Sequence, residues 1–203
     1  MNGLYTFLSL DYSGLFIALA LLAIASTGYR RSKGRIASLG FGALGAAALV
    51  LAVGGVSHLL RSSARDAEFP APGRMVDVGG YKMHILAEGP RNGPSIVWFG
   101  GGHSGGLTFY DAHRRLRETG RSILVDRPRT GWSDTGPFPR TTARETFEVM
   151  AALDAAGEEG PFIFAGHSFG GLLAANIARR YPDATAAIIL LDPTPLDVIF
   201  YGL

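Results

Sequence analysis

One five-residue segment has the residue types and spacing of a serine nucleophile. Residues 166–170 read Gly-His-Ser-Phe-Gly, which is a Gly-x-Ser-x-Gly motif. An apolar stretch at 162–165 precedes it and a stretch rich in small residues follows, which indicates a strand, a sharp turn and a helix. In such a turn the serine is strained, larger side chains two positions away would collide with backbone, and the helix N-terminus faces any anion that forms. The motif predicts Ser168 as a nucleophile, against the alternative of a glycine-rich turn without chemistry.

The surrounding elements predict a parallel sheet that would place Ser168 at one edge. After an apparent hairpin at 75–86, apolar strands at 95–99, 122–125, 162–165 and 186–191 alternate with helical patterns at 110–118, 141–156 and 170–181. Alternation of this kind is typical of a parallel sheet covered on both faces, with functional groups at the carboxyl ends of the strands. Polar or glycine-rich segments follow directly after four strands, at Gly100–Gly106, Asp126, Ser168 and Asp192.

Three motifs in order resemble the α/β-hydrolase fold. Besides the turn at Ser168, residues 126–134 (Asp-Arg-Pro-Arg-Thr-Gly-Trp-Ser-Asp) resemble the loop after the family's fourth strand, and 190–195 (Leu-Leu-Asp-Pro-Thr-Pro) the stretch after its sixth. Residues 75–195 are thus similar to the N-terminal two-thirds of such a protein. Dehalogenases and epoxide hydrolases of this fold carry aspartate in place of the serine. The resemblance therefore implies acyl chemistry, in which Ser168 attacks an ester, thioester or amide and forms an acyl-enzyme.

The same resemblance implies an oxyanion hole made of two backbone N–H groups. One is that of Phe169, directly after the serine, and the other comes from the loop after the third strand, where Gly100-Gly-Gly-His103 replaces the family's usual His-Gly-x. Gly102 is the expected donor and His103 the next candidate, while tight packing is the structural alternative for the three glycines. Asp126 and Arg127 are expected to hold their own loop.

A general base for Ser168 is hard to find in this sequence. The family's chain order is serine, acid, histidine, but no histidine follows residue 168. His103 is the only geometric candidate, since His84 is expected to pack or face solvent, His113 to be solvated, and His167 to point away from its neighbour. His58 lies at the end of an apolar segment.

The catalytic acid is equally open. Asp192 follows the sixth strand and is either the acid or a cap of the turn at Pro193. The sequence ends where the family's later strands and histidine would begin, so we expect a fragment with negligible turnover on its own. A naturally short protein, the alternative, would expose an apolar sheet edge. Neither a metal nor an organic cofactor is expected.

Two apolar segments at the N-terminus predict a membrane anchor. Residues 12–29 and 36–60 carry no charged side chain, and each approaches the length that crosses a bilayer. A cleaved signal peptide is the alternative for the first segment, but residues 1–11 contain no Lys or Arg. The basic linker at 30–35 is expected in the cytoplasm, which places the N-terminus and residues 61–203 on the outer side of a cell or inner membrane.

Charge separates the two parts of the chain. Residues 1–65 carry six Lys or Arg and one acid, so the overall charge of +2 comes from the anchor and no basic face is left for nucleic acid. We therefore predict an anchor at 1–62, a linker at 63–74 and a C-terminally incomplete α/β-hydrolase domain at 75–203. The functional prediction is a serine hydrolase that acts on a small or lipophilic acyl substrate at the bilayer. The alternative is a non-catalytic membrane protein that uses the same scaffold for binding.

Overall fold

A computed structural model describes residues 12–195, except for the side chains of residues 65 and 66. The chain divides after Pro70 into two compact units. The first is helical and the second contains a six-stranded sheet.

The first unit consists of two long apolar helices. Helix α1 spans Ser13–Arg31 and helix α2 spans Arg35–Glu68. Both are long and apolar enough to cross a bilayer, judged by length and composition, and few of their side chains are buried within the structure. Helix α2 continues through residues that the sequence predicted to be a linker, because nothing in that polar stretch opposes a helix until Pro70.

Glycines let the two helices approach each other. A Cβ atom on Gly45 would lie 3.6 Å from the Cβ of Ala25, and one on Gly55 would lie 3.6 Å from the backbone nitrogen of Leu15. At Gly28 the ring of Phe41 occupies the space of a side chain, with its Cε1 atom 2.2 Å from the Cβ position. Small residues therefore form the contact between α1 and α2, as is usual where helices pack without a hydrophobic driving force.

The second unit is built on a mixed, mostly parallel sheet. Its strands lie in the order β1-β2-β4-β3-β5-β6, and β1 and β2 run antiparallel to their neighbours whereas β3 to β6 are parallel. This confirms the predicted opening hairpin followed by a parallel sheet. The strand bounds are β1 Arg74–Asp77, β2 Lys82–Glu88, β3 Ser95–Phe99, β4 Ser122–Val125, β5 Phe162–Ser168 and β6 Thr185–Pro193.

Three helices cover much of this sheet. Helix α3 spans Tyr110–Leu116, α4 spans Thr142–Ala155 and α5 spans Phe169–Arg180. Helices α4 and α5 pack on one face over a core that includes Phe99 and Phe164. Helix α3 packs on the other face against Trp98. The Thr141 side chain accepts a hydrogen bond from the N–H of Arg144 and caps α4, which explains where that helix begins.

Strand β6 departs from the predicted two-sided cover. Within residues 12–195 it pairs only with β5, and its side chains are exposed along almost the whole strand. The apolar side chains of residues 188–191 are each 38–40% exposed. The prediction of a sheet buried on both faces is therefore wrong at this strand, because helix α5 contacts β6 but leaves most of its side chains exposed.

Candidate active site

The turn at Ser168 has the geometry that the motif predicts. Strand β5 ends at Ser168 and α5 begins at Phe169, so the chain passes from strand to helix without an intervening loop. Ser168 has φ 52° and ψ −120°, a conformation that costs a non-glycine residue about 1–3 kcal/mol. The strain is maintained by the strand and helix on either side. The N–H of Phe169 lies in the first turn of α5, where backbone donors have no acceptor within the helix.

The flanking glycines are required by close backbone approach. A Cβ atom on Gly166 would lie 2.2 Å from the carbonyl carbon and oxygen of Gly170. A Cβ atom on Gly170 would lie 2.3 Å from the carbonyl oxygen of Phe99, at the end of β3. Neither position has room for a side chain, so both glycines are structural requirements of the turn.

The loop after β3 lies against the serine. A Cβ atom on Gly101 would be 3.6 Å from the Cβ of Ser168 and 3.3 Å from the Nδ1 atom of His167. Gly101 is buried, whereas Gly102 and His103 are exposed. The structure thus brings the predicted donor segment to the predicted nucleophile, and Gly102 and Phe169 remain the expected oxyanion donors.

Strand β6 brings Asp192 to the same edge of the sheet. Ser168 pairs in register with Pro193, and the N–H of Thr194 donates to the Ser168 carbonyl oxygen at 3.0 Å. Asp192 is exposed and has φ 43°, one of three described non-glycine residues with positive φ. Its place beside the nucleophile strand fits either of its predicted roles, and that assignment stays a prediction.

Asp126 ties together the loops that follow β3 and β4. One carboxylate oxygen accepts from the N–H of Gly106 at 2.6 Å. The other accepts from the N–H of Trp132 at 3.1 Å and from the Nδ1 atom of His84 at 2.9 Å. Asp126 is 1% exposed, and a Cβ atom on Gly131 would occupy the space of its carboxylate. The expectation that Asp126 holds its own loop agrees with these contacts, which extend to the neighbouring loop as well.

Comparison with known proteins agrees with this architecture. The Thioesterase domain family matches residues 94–193. The chain is 30% identical over 122 residues to a 2-(acetamidomethylene)succinate hydrolase of Mesorhizobium japonicum, covering 60% of this chain and 43% of that protein. It is 30% identical over 113 residues to the lipase LipV of Mycobacterium tuberculosis, covering 55% of this chain and 41% of that protein. The chain therefore spans less than half the length of these curated relatives.

Solved structures give the decisive likeness in fold. The crystal structure of an E-2-(acetamidomethylene)succinate hydrolase aligns with a TM-score of 0.55 at 25% identity, over 61% of this chain and 45% of that one. A thermophilic esterase from Thermogutta terrifontis aligns with a TM-score of 0.54 at 22% identity, over 59% of this chain and 45% of that one. The second unit has the α/β-hydrolase fold. The two curated relatives named above are a hydrolase and a lipase.

Two histidines of the α/β-hydrolase domain are buried structural residues. His84 is 1% exposed; its Nδ1–H donates to Asp126 and its Nε2 accepts from the N–H of Gly73 at 3.1 Å, so both ring nitrogens have partners. His113, predicted to be solvated, is fully buried and contacts Ser122 and Glu88, so that prediction is wrong. A polar residue on a short helix faces inward here because Ser122 and Glu88 supply partners from the sheet.

Neither buried ring is free to act on Ser168, because its described nitrogens already have partners. His103 and His167 are exposed residues of the rim. Among residues 12–195, with the side chains at 65 and 66 excepted, no cluster of three or more His, Cys, Asp or Glu side chains forms a metal site. The structure therefore brings Ser168 and backbone N–H groups together. His103 stays the candidate base, and no hydrogen bond joins it to Ser168.

Glu148, Arg140, Glu145 and Arg127 form a connected network of ion pairs in the α/β-hydrolase domain. Glu148 on α4 accepts from the hydroxyl of Tyr81 and pairs with Arg140. Arg140 also approaches Glu145 at 3.7 Å, and Glu145 pairs with Arg127 at 3.1 Å. Burial, followed by the bond to Glu148, raises the pKa of Tyr81 to about 12. Two acids and two arginines balance in charge, as buried ionic groups require.

Sequence reasoning missed this network. Its visible signal is the spacing of Glu145 and Glu148, three residues apart on α4 among the residues that face the core. Two acids on one helical face beside buried positions indicate basic partners from elsewhere in the fold. The partners themselves, Arg127 and Arg140, come from the segment after β4 and cannot be assigned without the tertiary arrangement.

Proposed function

We propose that this chain carries the nucleophile and oxyanion hole of a membrane-anchored serine hydrolase. Ser168 attacks the carbonyl carbon of an ester or related acyl substrate as its hydroxyl proton passes to a general base, for which His103 is the candidate on this chain, and that base then returns the proton to the leaving group. The tetrahedral oxyanion accepts hydrogen bonds from the N–H groups of Phe169 and Gly102. Its collapse expels the leaving group and forms an acyl-enzyme, which water then hydrolyses.

The single observation that carries this proposal is the strained strand-to-helix turn at Ser168. The serine has φ 52°, and the two flanking glycines are in contact with backbone that excludes a side chain. Strain of this kind is retained only where surrounding structure enforces it, and a simple turn would not need it. The buried approach of Gly101 to Ser168 adds the second wall of the site.

The substrate class follows from the nucleophile and the relatives together. A serine in this turn forms an acyl-enzyme, and the related proteins include the Thioesterase domain family and a lipase. Esters and thioesters share the electrophilic carbonyl carbon that such a serine attacks. The proposed membrane anchor favours lipophilic acyl groups as substrates. No metal or organic cofactor takes part in the proposed reaction.

A second candidate is a non-catalytic binding protein on the same scaffold. The observation that favours it is the placement of the histidines. His84 and His113 form hydrogen bonds with buried partners, and no histidine follows Ser168 in this sequence. Without a general base the serine is expected to lose several orders of magnitude in rate. The two candidates therefore differ in whether Ser168 can be made to react.

Covalent labelling distinguishes them. The full chain in detergent micelles is incubated with a fluorophosphonate probe, with and without free imidazole, and the modified residue is located by mass spectrometry. We expect slow labelling at Ser168 that imidazole accelerates, because imidazole can accept the serine hydroxyl proton as a general base. The variant Ser168→Ala is expected to lose the label, and Ser104→Ala, which changes an exposed serine of the same rim, is expected to keep it.

Labelling that persists in Ser168→Ala would place the reaction elsewhere and overturn the proposal. Absence of any label at Ser168 in a folded sample, even at high imidazole, would favour the binding protein. Hydrolysis of p-nitrophenyl esters by the same samples then tests turnover, which we expect to stay near the imidazole background.

We also propose that helices α1 and α2 span a membrane with the hydrolase domain on the outer side. The support is their length and apolar composition and the basic residues between them. The chain has no cysteine, so single cysteines report accessibility directly. A membrane-impermeant maleimide should label Glu118→Cys in intact cells but Ser32→Cys only after permeabilisation. The reverse pattern would invert the orientation, and release of the protein by carbonate washing would exclude spanning helices.

A further inference from the structure

The guanidinium group of Arg127 contacts both segments that are proposed to bind the oxyanion. Arg127 follows Asp126 directly after β4 and is 3% exposed. Its Nη2 atom donates to the carbonyl oxygens of Gly101 and Gly102, the latter at 2.9 Å. Its Cζ atom lies 4.8 Å from the centre of the Phe169 ring. One side chain therefore connects the loop after β3 to the first residue of α5.

The contacts to the loop fix the direction of its N–H groups. In a trans peptide the carbonyl oxygen and the following N–H lie in one plane and point in opposite directions. A carbonyl of Gly101 that faces Arg127 therefore turns the N–H of Gly102 away from the guanidinium. The carbonyl of Gly102 does the same for the N–H of His103. These are the two candidate donors of the loop, and both depend on the position of the Nη2 atom.

The contact between Arg127 and the Phe169 ring restrains the second segment of the proposed oxyanion hole. The N–H of Phe169 is the second proposed oxyanion donor, and its ring packs under the guanidinium as a cation–π pair. Holding this ring restrains the residue at which the strained turn becomes helix. The spacing between the two donor segments is therefore set through a single planar group.

Glu145 offsets the cost of burying the positive charge of Arg127. Its Oε2 atom pairs with Nη1 of Arg127 at 3.1 Å, and Arg140 lies 3.7 Å from its Oε1 atom. The charge of Arg127 is thus balanced from α4, on the side away from the loop contacts. Lysine cannot replace this residue, because a compact ammonium lacks the planar fork that reaches a carboxylate, two carbonyls and a ring together.

We infer that Arg127 is a positioning residue that sets both donors of the oxyanion hole. This inference rests on the proposed function of Ser168 and adds to it the residue that aligns the site. Arg127 touches no reacting atom, and it acts through Gly101, Gly102 and Phe169.

Labelling kinetics test this inference in the full chain in micelles, with imidazole present. The variants are Arg127→Met, which keeps an apolar stem, and Arg127→Lys, which keeps the charge. Arg121→Met is the matched control, because Arg121 flanks β4 at its other end and pairs with Glu158 away from the site. Hydrogen exchange of the peptide covering residues 100–106 is measured on the same samples.

For Arg127→Met we expect the first-order labelling rate at saturating probe to fall about tenfold, because misaligned donors stabilise the oxyanion less. The half-saturating probe concentration should stay constant, a split that general loss of stability would not produce. Arg127→Lys keeps a positive charge beside Glu145 but loses the planar fork, so it should also label slowly. Exchange at 100–106 should accelerate in both variants but not in Arg121→Met.

A wild-type labelling rate in both Arg127 variants would overturn the inference while leaving the proposed function intact. Unchanged exchange at 100–106 would overturn it as well. A wild-type chain that is never labelled at Ser168 would instead refute the proposed function, and exchange alone would then decide whether Arg127 positions the loop. If Arg127→Met does not fold, Arg127→Lys carries the same comparison.

Discussion

Replacement of Asp126 is expected to cost more stability than replacement of any exposed acid of the domain. Its carboxylate accepts three hydrogen bonds, from the buried N–H of Gly106, the buried Nδ1–H of His84 and the half-buried N–H of Trp132. In Asp126→Ala all three donors lose their partner. An unpaired buried donor costs about 1–3 kcal/mol, so we expect a loss of roughly 3–6 kcal/mol in the free energy of unfolding.

Asp126→Asn should restore part of this loss, in an amount that follows from the donor geometry. The asparagine oxygen can face the pair formed by Trp132 and His84, which leaves its NH₂ group against the N–H of Gly106. A tautomer change does not help, because the Nε2 atom of His84 already accepts from Gly73. One donor remains unpaired and the other two bonds lose their charge, so the expected loss is about 2–3 kcal/mol.

The assay is urea unfolding monitored by tryptophan fluorescence. Both tryptophans, Trp98 and Trp132, lie in the α/β-hydrolase domain, so the signal reports that unit and not the helical one. Asp111→Asn is the matched control, since Asp111 is exposed in the first turn of α3 and should change the free energy by no more than about 0.5 kcal/mol. An Asp126→Asn variant within about 0.5 kcal/mol of the wild type would refute the assignment of Asp126 as the tie between the two loops.

Two further outcomes are expected from the same unfolding assay. Gly166→Ala should lose about 3 kcal/mol or fail to fold, because its Cβ would overlap the backbone of Gly170, whereas Gly93→Ala has open space and should change little; equal effects would contradict the packing argument. The raised pKa of Tyr81 means that stability present below pH 10 is lost as the pH rises towards about 12. The full difference corresponds to about 2.7 kcal/mol, and partial exposure of the ring reduces our expectation to ~1 kcal/mol. Tyr81→Phe should lack this alkaline loss, and an identical pH profile would exclude Tyr81 as its source.

The sequence predicted those parts of the fold that depend on local pattern. The strands at 95–99 and 122–125 and the beginnings and ends of α4 and α5 follow from apolar periodicity, glycine and capping residues near each element. The turn at Ser168 was predictable because its glycine spacing is a steric requirement of the backbone. The end of α2 was not, since a polar stretch is compatible with either helix or linker until Pro70 forbids the helix.

The parts that could not be predicted depend on partners distant in sequence. His113 was assigned to solvent from its place on a short helix, but Glu88 and Ser122 provide buried partners from β2 and β4. Arg127 was expected to hold its own loop, and its contacts with Gly101 and Phe169 arise only when three segments meet at one edge. Single-sequence patterns carry no information about which distant groups come together.

Strand β6 gives the domain a property that matters for handling it. Among residues 12–195 its outer edge has no strand partner and carries four apolar side chains, which is a template for strand addition by other molecules. Concentrated solutions of the domain are therefore expected to self-associate through this edge. Asp192, the proposed acid, is an exposed residue at the end of the same strand, so a strand that pairs along the whole edge would reach it. A strand bound along the β6 edge is therefore expected to lower the solvent exposure of Asp192, next to Ser168.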